Sequence, residues 1–141
     1  MRQWQTVLEV RTPGRGMKDI TREVADWVTR SGAGTGLLTV FIRHTSASLI
    51  IQENADPDVR RDLEAFFCRL APEDDTLYRH RDEGPDDMPS HLRSAVTRTG
   101  ETIPISGGRL ALGTWQAIYV WEHRTAPHTR RLVVTVMGSK A

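Results

Sequence analysis

The sequence predicts an α+β fold: a single compact domain, residues 1–141, with a mixed, largely antiparallel sheet and about three helices. Three observations lead there. Short runs of period-two or β-branched residues recur along the chain, about seven in all. Three segments carry apolar residues at helical spacing. The two kinds follow one another unevenly, which argues against a regular alternation of strand and helix.

The first run, Trp4 to Val10, puts Trp4, Thr6, Leu8 and Val10 on one face and Gln3, Gln5, Val7 and Glu9 on the other, as a half-buried strand does. After Pro13-Gly14-Arg15-Gly16, the residues Ile20, Val24, Trp27 and Val28 fall on one helical face, and Ser31-Gly32 with Gly34 ends that helix. Leu37 to Ile42 and Ser48 to Ile51 read as strands, which places His44 near a strand end. Asp56-Pro57 opens a second helix, with aspartate capping free amides and proline tolerated at the first helical position. Its buried face is expected to be Val59, Leu63, Phe66, Phe67 and Leu70. Pro72 to Pro85 is a long surface connection, and Asp86 or Asp87 caps a short third helix carrying Met88, Leu92 and Val96. Ile103 to Ile105 and Leu110 to Leu112 flank the turn Ser106-Gly107-Gly108, and Gln116 to Glu122 and Arg131 to Val136 complete the strands. Gly138 to Ala141 reads as a frayed tail.

Composition narrows the function. A formal charge of +1, from 19 basic and 18 acidic residues, supplies no global field for nucleic acid or an anionic membrane, so neither is an expected partner. Cys68 is the only cysteine, which excludes an intrachain disulfide and suits a reducing cytoplasm. No run of about 18 apolar residues suggests a membrane span. The predicted location is cytoplasmic.

Chemistry concentrates in two stretches. His44-Thr45-Ser46-Ala47-Ser48 leads to Gln52-Glu53-Asn54-Ala55-Asp56-Pro57-Asp58, and the second stretch runs from His80 through Glu83, Asp86 and Asp87 to His91. Neutral imidazole is a common ligand for zinc and similar metals, and the acids nearby are potential further ligands or proton carriers. The separations of the three histidines match no local metal motif, and each also fits a structural role: strand-end hydrogen bonder, solvated loop residue and helix-surface residue in turn. Thr45, Ser46 and Ser48 suit either phosphate contacts or turn formation. Trp115 suits either a core anchor or a stacking platform. His123, Arg124, His128, Arg130 and Arg131 read as an anion pocket or a solvated hairpin, the solvated reading being preferred.

These strings, with Gly108-Arg109-Leu110-Ala111-Leu112-Gly113-Thr114-Trp115-Gln116, closely resemble the YjbQ-like family of secondary thiamine-phosphate synthases, in order and through essentially the whole chain. The resemblance implies a homotrimer acting on a small phosphorylated substrate. It implies that hydroxymethylpyrimidine diphosphate is joined to a thiazole phosphate with loss of diphosphate. Carried over position by position, it puts forward His44, His80 and His91 as metal ligands, and Glu53, Asp62 and Asp87 for catalytic roles. Ser46, Asn54, Arg109, Thr114 and Gln116 become substrate contacts. Ser90, where the family motif usually has alanine, is expected on an exposed turn. The cofactor is a divalent metal, zinc or magnesium: imidazoles favour zinc, whereas diphosphate chemistry usually recruits magnesium. A metal-dependent hydrolase and a non-catalytic trimeric binding protein are the alternatives.

Overall fold

Alternating burial along the first strand sets the architecture. A computed structural model describes all 141 residues, and in it β1 (Arg2–Thr12) turns Trp4, Thr6, Leu8 and Val10 inward and their neighbours outward. β2 (Gly16–Asp19), α1 (Thr21–Ser31), β3 (Ala33–Ile42), β4 (Ala47–Glu53) and α2 (Pro57–Leu70) follow. A single 3₁₀ turn at Asp75–Leu77 precedes α3 (Asp87–Val96), β5 (Gly100–Ser106), β6 (Arg109–Leu110), β7 (Gln116–Glu122) and β8 (His128–Lys140). The strands form a five-stranded sheet in the order β1-β8-β3-β5-β6 and a three-stranded sheet in the order β2-β7-β4. Every strand pair is antiparallel.

The inner faces of both sheets and one face of α1 share a single core of 17 buried apolar residues, among them Val24, Val28, Leu38, Leu49, Val120 and Val134. Burying such side chains is the main favourable contribution to folding. Just ahead of α1, Asp19 Oδ1 accepts from the amide of its first residue, Thr21, at 2.9 Å, and the helix ends at Gly32 in the left-handed conformation, φ 72°. Asp56 caps α2 as expected, accepting from the Asp58 amide at 2.9 Å.

Strand β7 is the pivot of the three-stranded sheet. From Ala117 to Glu122 every side chain is buried, Ile118 and Val120 against the core and Tyr119 and Trp121 against the helices on the other face. Phe67 of α2 meets the Trp121 ring edge-on with centroids 4.8 Å apart, and Arg93 of α3 stacks over the same indole.

Four expectations need correction. The apolar stripe of α2 is not a buried face: no residue of that helix is fully buried, and Phe66 and Leu70 are about half exposed, because only Phe67 and its neighbours reach Trp121. The tail is not frayed. β8 continues to Lys140 through backbone pairing with β3, and Gly138 pairs with both Arg2 and Gly36. A Cβ on Gly36 would collide with the Met137 carbonyl, so two facing glycines permit this close strand approach. Asp86 does not cap α3 with its side chain. Nor is Ser90 exposed: it is fully buried, its hydroxyl donating to the Asp86 carbonyl at 2.6 Å.

Candidate functional site

Past its last buried apolar residue, β7 runs into Glu122, His123 and Arg124, and each points into a different polar network. Glu122 faces the interior and is fully buried. Arg130 of β8 grips it with two nitrogens, the Thr12 hydroxyl donates at 2.7 Å, and the Arg124 amide donates at 3.1 Å. Burial alone would raise the carboxyl pKa, but these donors outweigh it and hold the group below its ordinary value. The same Arg130 reaches the Ser46 hydroxyl at 3.0 Å and lies 3.4 Å from His44 Nδ1.

His123 turns the other way, into a closed chain beneath α2 and α3. Arg93 Nε donates to its Nδ1 at 3.0 Å, so the neutral ring carries its proton on Nε2, which donates to the Ser48 hydroxyl at 2.8 Å. Burial and the nearby Arg93 push the imidazole down to about 2, so it stays neutral across the physiological range. Ser48 therefore accepts from His123 and is not activated by it, which excludes a serine–histidine nucleophile here. Glu64 closes the chain, taking Arg93 at 2.6 Å and the Trp121 indole N–H at 2.9 Å.

Arg124 points outward to α3. Its Nε donates to Asp86 Oδ2 and its NH1 to Asp87 Oδ1, both at 2.9 Å. Asp86 also accepts from the Thr125 amide; burial raises its pKa, yet these donors hold it at about 2. The other oxygen of Asp87 faces two imidazoles, with His80 Nε2 at 2.8 Å and His91 Nε2 at 3.2 Å. Glu83 Oε2 lies 3.1 Å from the same His80 nitrogen. The ligand atoms of His80, Glu83, Asp87 and His91 all fall within 4.8 Å of one another. Asp87 and His91 share a face of α3 at i, i+4, while the preceding loop supplies His80 and Glu83. Hydrogen bonds that Asp87 and then Glu83 accept from its ring raise the His80 pKa above its ordinary value.

Such a donor set fits a divalent cation. Nitrogen and oxygen ligands held about 2.0–2.2 Å from a tetrahedral ion lie about 3.3–3.6 Å from one another; His91 Nε2, 3.2 Å from Asp87 Oδ2, is near that spacing, and His80 Nε2, at 2.8 Å, would move outward by about half an ångström on binding. Two imidazoles and a carboxylate favour zinc-like ions over magnesium.

The structure brings His80, His91 and Asp87 together and separates the other predicted residues. His44 stands apart within the chain, its Nε2 accepting the Arg131 amide at 2.8 Å, and burial and Arg130 lower its pKa. Ser46 lies beside it on Arg130. Glu53 pairs with Gln116 at the opposite end of β4 and β7 from Ala47 and Glu122; at about 3.4 Å per residue the two ends are about 20 Å apart. There Glu53 accepts the Asp56 amide, Gln116 accepts the Gly113 amide, and Asn54, Thr114 and Trp115 are exposed, so Trp115 is no core anchor; Arg109 is exposed on β6 of the other sheet. Asp62 is exposed on α2. One pocket holding all the predicted residues is not present within a single chain.

Sequence reasoning missed Glu64, Arg93 and Glu122, and it misjudged the segment from His123 to Arg131. The solvated reading is overturned for His123, which is fully buried, and for Arg130, which is 4% exposed; Arg124 is partly buried in ion pairs, and Arg131 is exposed as expected. The usable signal was Asp87 and His91 at one helical spacing. That spacing lies hidden within the larger gap from His80 to His91.

Comparison with known proteins matches residues 6–139 to the family model described as UPF0047 protein YjbQ-like. A UPF0047 protein of Synechocystis sp. is 56% identical over 137 residues, covering 97% of this chain and 93% of the relative. The UPF0047 protein YjbQ of Escherichia coli O157:H7 is 40% identical over 136 residues, covering 96% and 98%. A conserved hypothetical protein from Thermus thermophilus superposes with a TM-score of 0.83 at 36% identity, over 94% of this chain and 99% of that one. A YbjQ-like protein of unknown function from Sulfolobus solfataricus, at 20% identity and a TM-score of 0.86 over 98% of this chain and 100% of that one, shares the fold.

Neutral, buried His123 makes stability depend on pH. Its folded pKa lies below the unfolded value of about 6.5, so its contribution is fully present above pH 6.5 and is lost as pH falls below it. Denaturant unfolding between pH 6.5 and 4.5 is expected to show the wild type losing about 1.4 kcal/mol per pH unit more than His123→Asn. Parallel losses in the two proteins would contradict the assignment.

Proposed function

The chain belongs to the YjbQ-like UPF0047 family, and we propose that it is a metal-dependent enzyme acting on small phosphorylated molecules, with thiamine-phosphate synthesis as a secondary activity. The observation that carries this reading is the convergence of His80 Nε2 and His91 Nε2 on the single oxygen Asp87 Oδ2. His80, His91 and Asp87 would hold the cation, with Glu83 within reach. In the synthase reaction the thiazole nitrogen forms a bond to the pyrimidine methylene carbon as the C–O bond to diphosphate breaks, and diphosphate leaves with the electron pair. A divalent cation bound at the cluster would offset the charge developing on that leaving group. Exposed Arg79 and Arg81 flank His80 and suit the same anion.

The histidine-rich donor set favours a second reading, a metal-dependent hydrolase, in which a carboxylate moves the proton of an attacking water. Glu83, exposed and 3.1 Å from His80, suits that task. A non-catalytic trimeric binding protein corresponds to tight binding of a phosphate ester with no turnover. Glu53, Asn54, Arg109, Thr114 and Gln116 remain proposed substrate contacts only where a second subunit brings its Gln116 end to this cluster.

The proposal includes a cytoplasmic homotrimer. No helix is long and apolar enough to cross a membrane. The outer face of the five-stranded sheet supports assembly. Register aligns Val7, Val133 and Phe41 in one row, Gln5, Thr135, Thr39 and Thr102 in the next, and Gln3, Met137, Leu37 and Pro104 in a third. None is charged, and Val7, Leu37, Phe41 and Met137 are 39–51% exposed. The Glu9–Arg131 ion pair borders this face. An uncharged centre with a charged rim suits a subunit contact, and three copies close around an axis.

Thiamine phosphate formation from the two precursors is expected to stop on chelation and to fall at least about 10²-fold in His91→Ala and Asp87→Asn. Turnover insensitive to both would contradict the metal reading. Phe41→Asp is expected to yield monomers by light scattering; an unchanged trimer would remove the sheet face from the interface.

A further inference from the structure

The two oxygens of Asp87 are used differently, and Arg124 makes the difference. Asp87 is the one fully buried residue of the four-residue cluster, its side chain 4% exposed. Oδ2 faces the imidazoles, while Oδ1 is occupied by Arg124 NH1. The guanidinium is fixed on its other sides as well. Nε is bonded to Asp86 Oδ2, and NH2 donates to the Glu83 carbonyl at 2.9 Å. Asp86 is anchored in turn by the Thr125 amide at 2.9 Å and hydroxyl at 3.3 Å. One planar group thus ties the end of β7 to the start of α3 and to the backbone of the loop bearing His80 and Glu83. A lysine ammonium, a single point charge, offers no such fork.

Carboxylate denticity matters to a cation. Calcium takes six to eight oxygens and commonly binds carboxylates through both oxygens. Zinc is satisfied by four ligands, a carboxylate among them through one oxygen. With Oδ1 engaged by Arg124, Asp87 offers the cluster Oδ2 alone.

Resting on the metal reading above, we infer that Arg124, anchored by Asp86, is a positioning residue that sets the ion preference of the His80–Asp87–His91 cluster by holding Asp87 to one available oxygen. Arg124 touches neither imidazole and is not a ligand. Its role is exerted through Asp87, and through the Glu83 carbonyl. Partners of metal-ligating groups typically change metal affinity by about 10–100-fold when removed.

The test uses the full chain with zinc, cobalt and calcium added singly, followed by competition against a chromophoric chelator and, for cobalt, by visible absorption. Wild type is expected to bind zinc and cobalt at one site per chain. Arg124→Ala is expected to bind zinc about 10–100-fold more weakly, to lose zinc-over-calcium preference, and to show weaker cobalt absorption as Asp87 gains its second oxygen. Arg124→Lys keeps the charge and should recover little. Asp86→Asn retains the guanidinium and loosens its anchor, so it should shift in the same direction by less. This variant also tests the inference if Arg124→Ala does not fold. Arg124→Ala and Asp86→Asn that both keep the wild-type affinity, preference and cobalt spectrum would overturn the inference while leaving the metal site standing. A wild-type protein that binds neither zinc nor cobalt would overturn the metal reading and this inference together.

Discussion

A strand buried on both faces that ends at Glu122 and runs straight on into His123 and Arg124 imposes a demand the rest of the molecule has to meet. An ionised carboxylate and an imidazole without exposure are costly unless every polar atom is paired, and removing one partner of such a pair typically costs about 3–5 kcal/mol. The pairing fixes the neighbours. Glu122 dictates the place of Arg130 and Thr12 on the five-stranded sheet, and so joins the two sheets at this end. His123 dictates Arg93 and, through it, Glu64, which seats α3 and α2 on the outer face of β7. Arg124 dictates Asp86 and Asp87, which sets the start of α3 and with it the candidate cation site.

The site is thus the outermost layer of a structural network. Its candidate ligands come from a helix and the loop before it, neither of which belongs to a sheet, yet the Arg124 guanidinium ties both to the end of β7. The imidazoles remain partly exposed while Asp87 is buried, an arrangement that keeps the carboxylate in place and leaves the histidines accessible to a ligand.

Much of the fold was legible because the signals were local. Period-two burial in β1, the helical face of α1 and the Asp56-Pro57 cap depend on neighbours in sequence, and all three are present. What was not legible depends on distant partners. The stripe Val59, Leu63, Phe66, Phe67, Leu70 is amphipathic, but how much of it one chain covers depends on where Trp121 lies. The paired tail depends on two glycines that let β3 and β8 approach, a contact between residues about a hundred positions apart. Candidate ligands followed the same division. Asp87 and His91 meet by helix geometry, whereas the distance of His44 from them, and the burial of His123 and Arg130 in a segment that looks solvated, follow only from the strand pairing. Charged side chains give no sequence pattern of their own when they pair across sheets.

Elemental analysis of the purified protein, beside Asp87→Asn prepared in the same way, addresses the central claim most directly. Asp87→Asn preserves the shape of the side chain while removing the charge that both imidazoles face. The account predicts about one zinc-like ion per chain in the wild type and its loss in the variant, with the fold retained by circular dichroism. Equal metal content in the two proteins, or none in the wild type even after exposure to zinc, would contradict a metal centre at His80, Asp87 and His91.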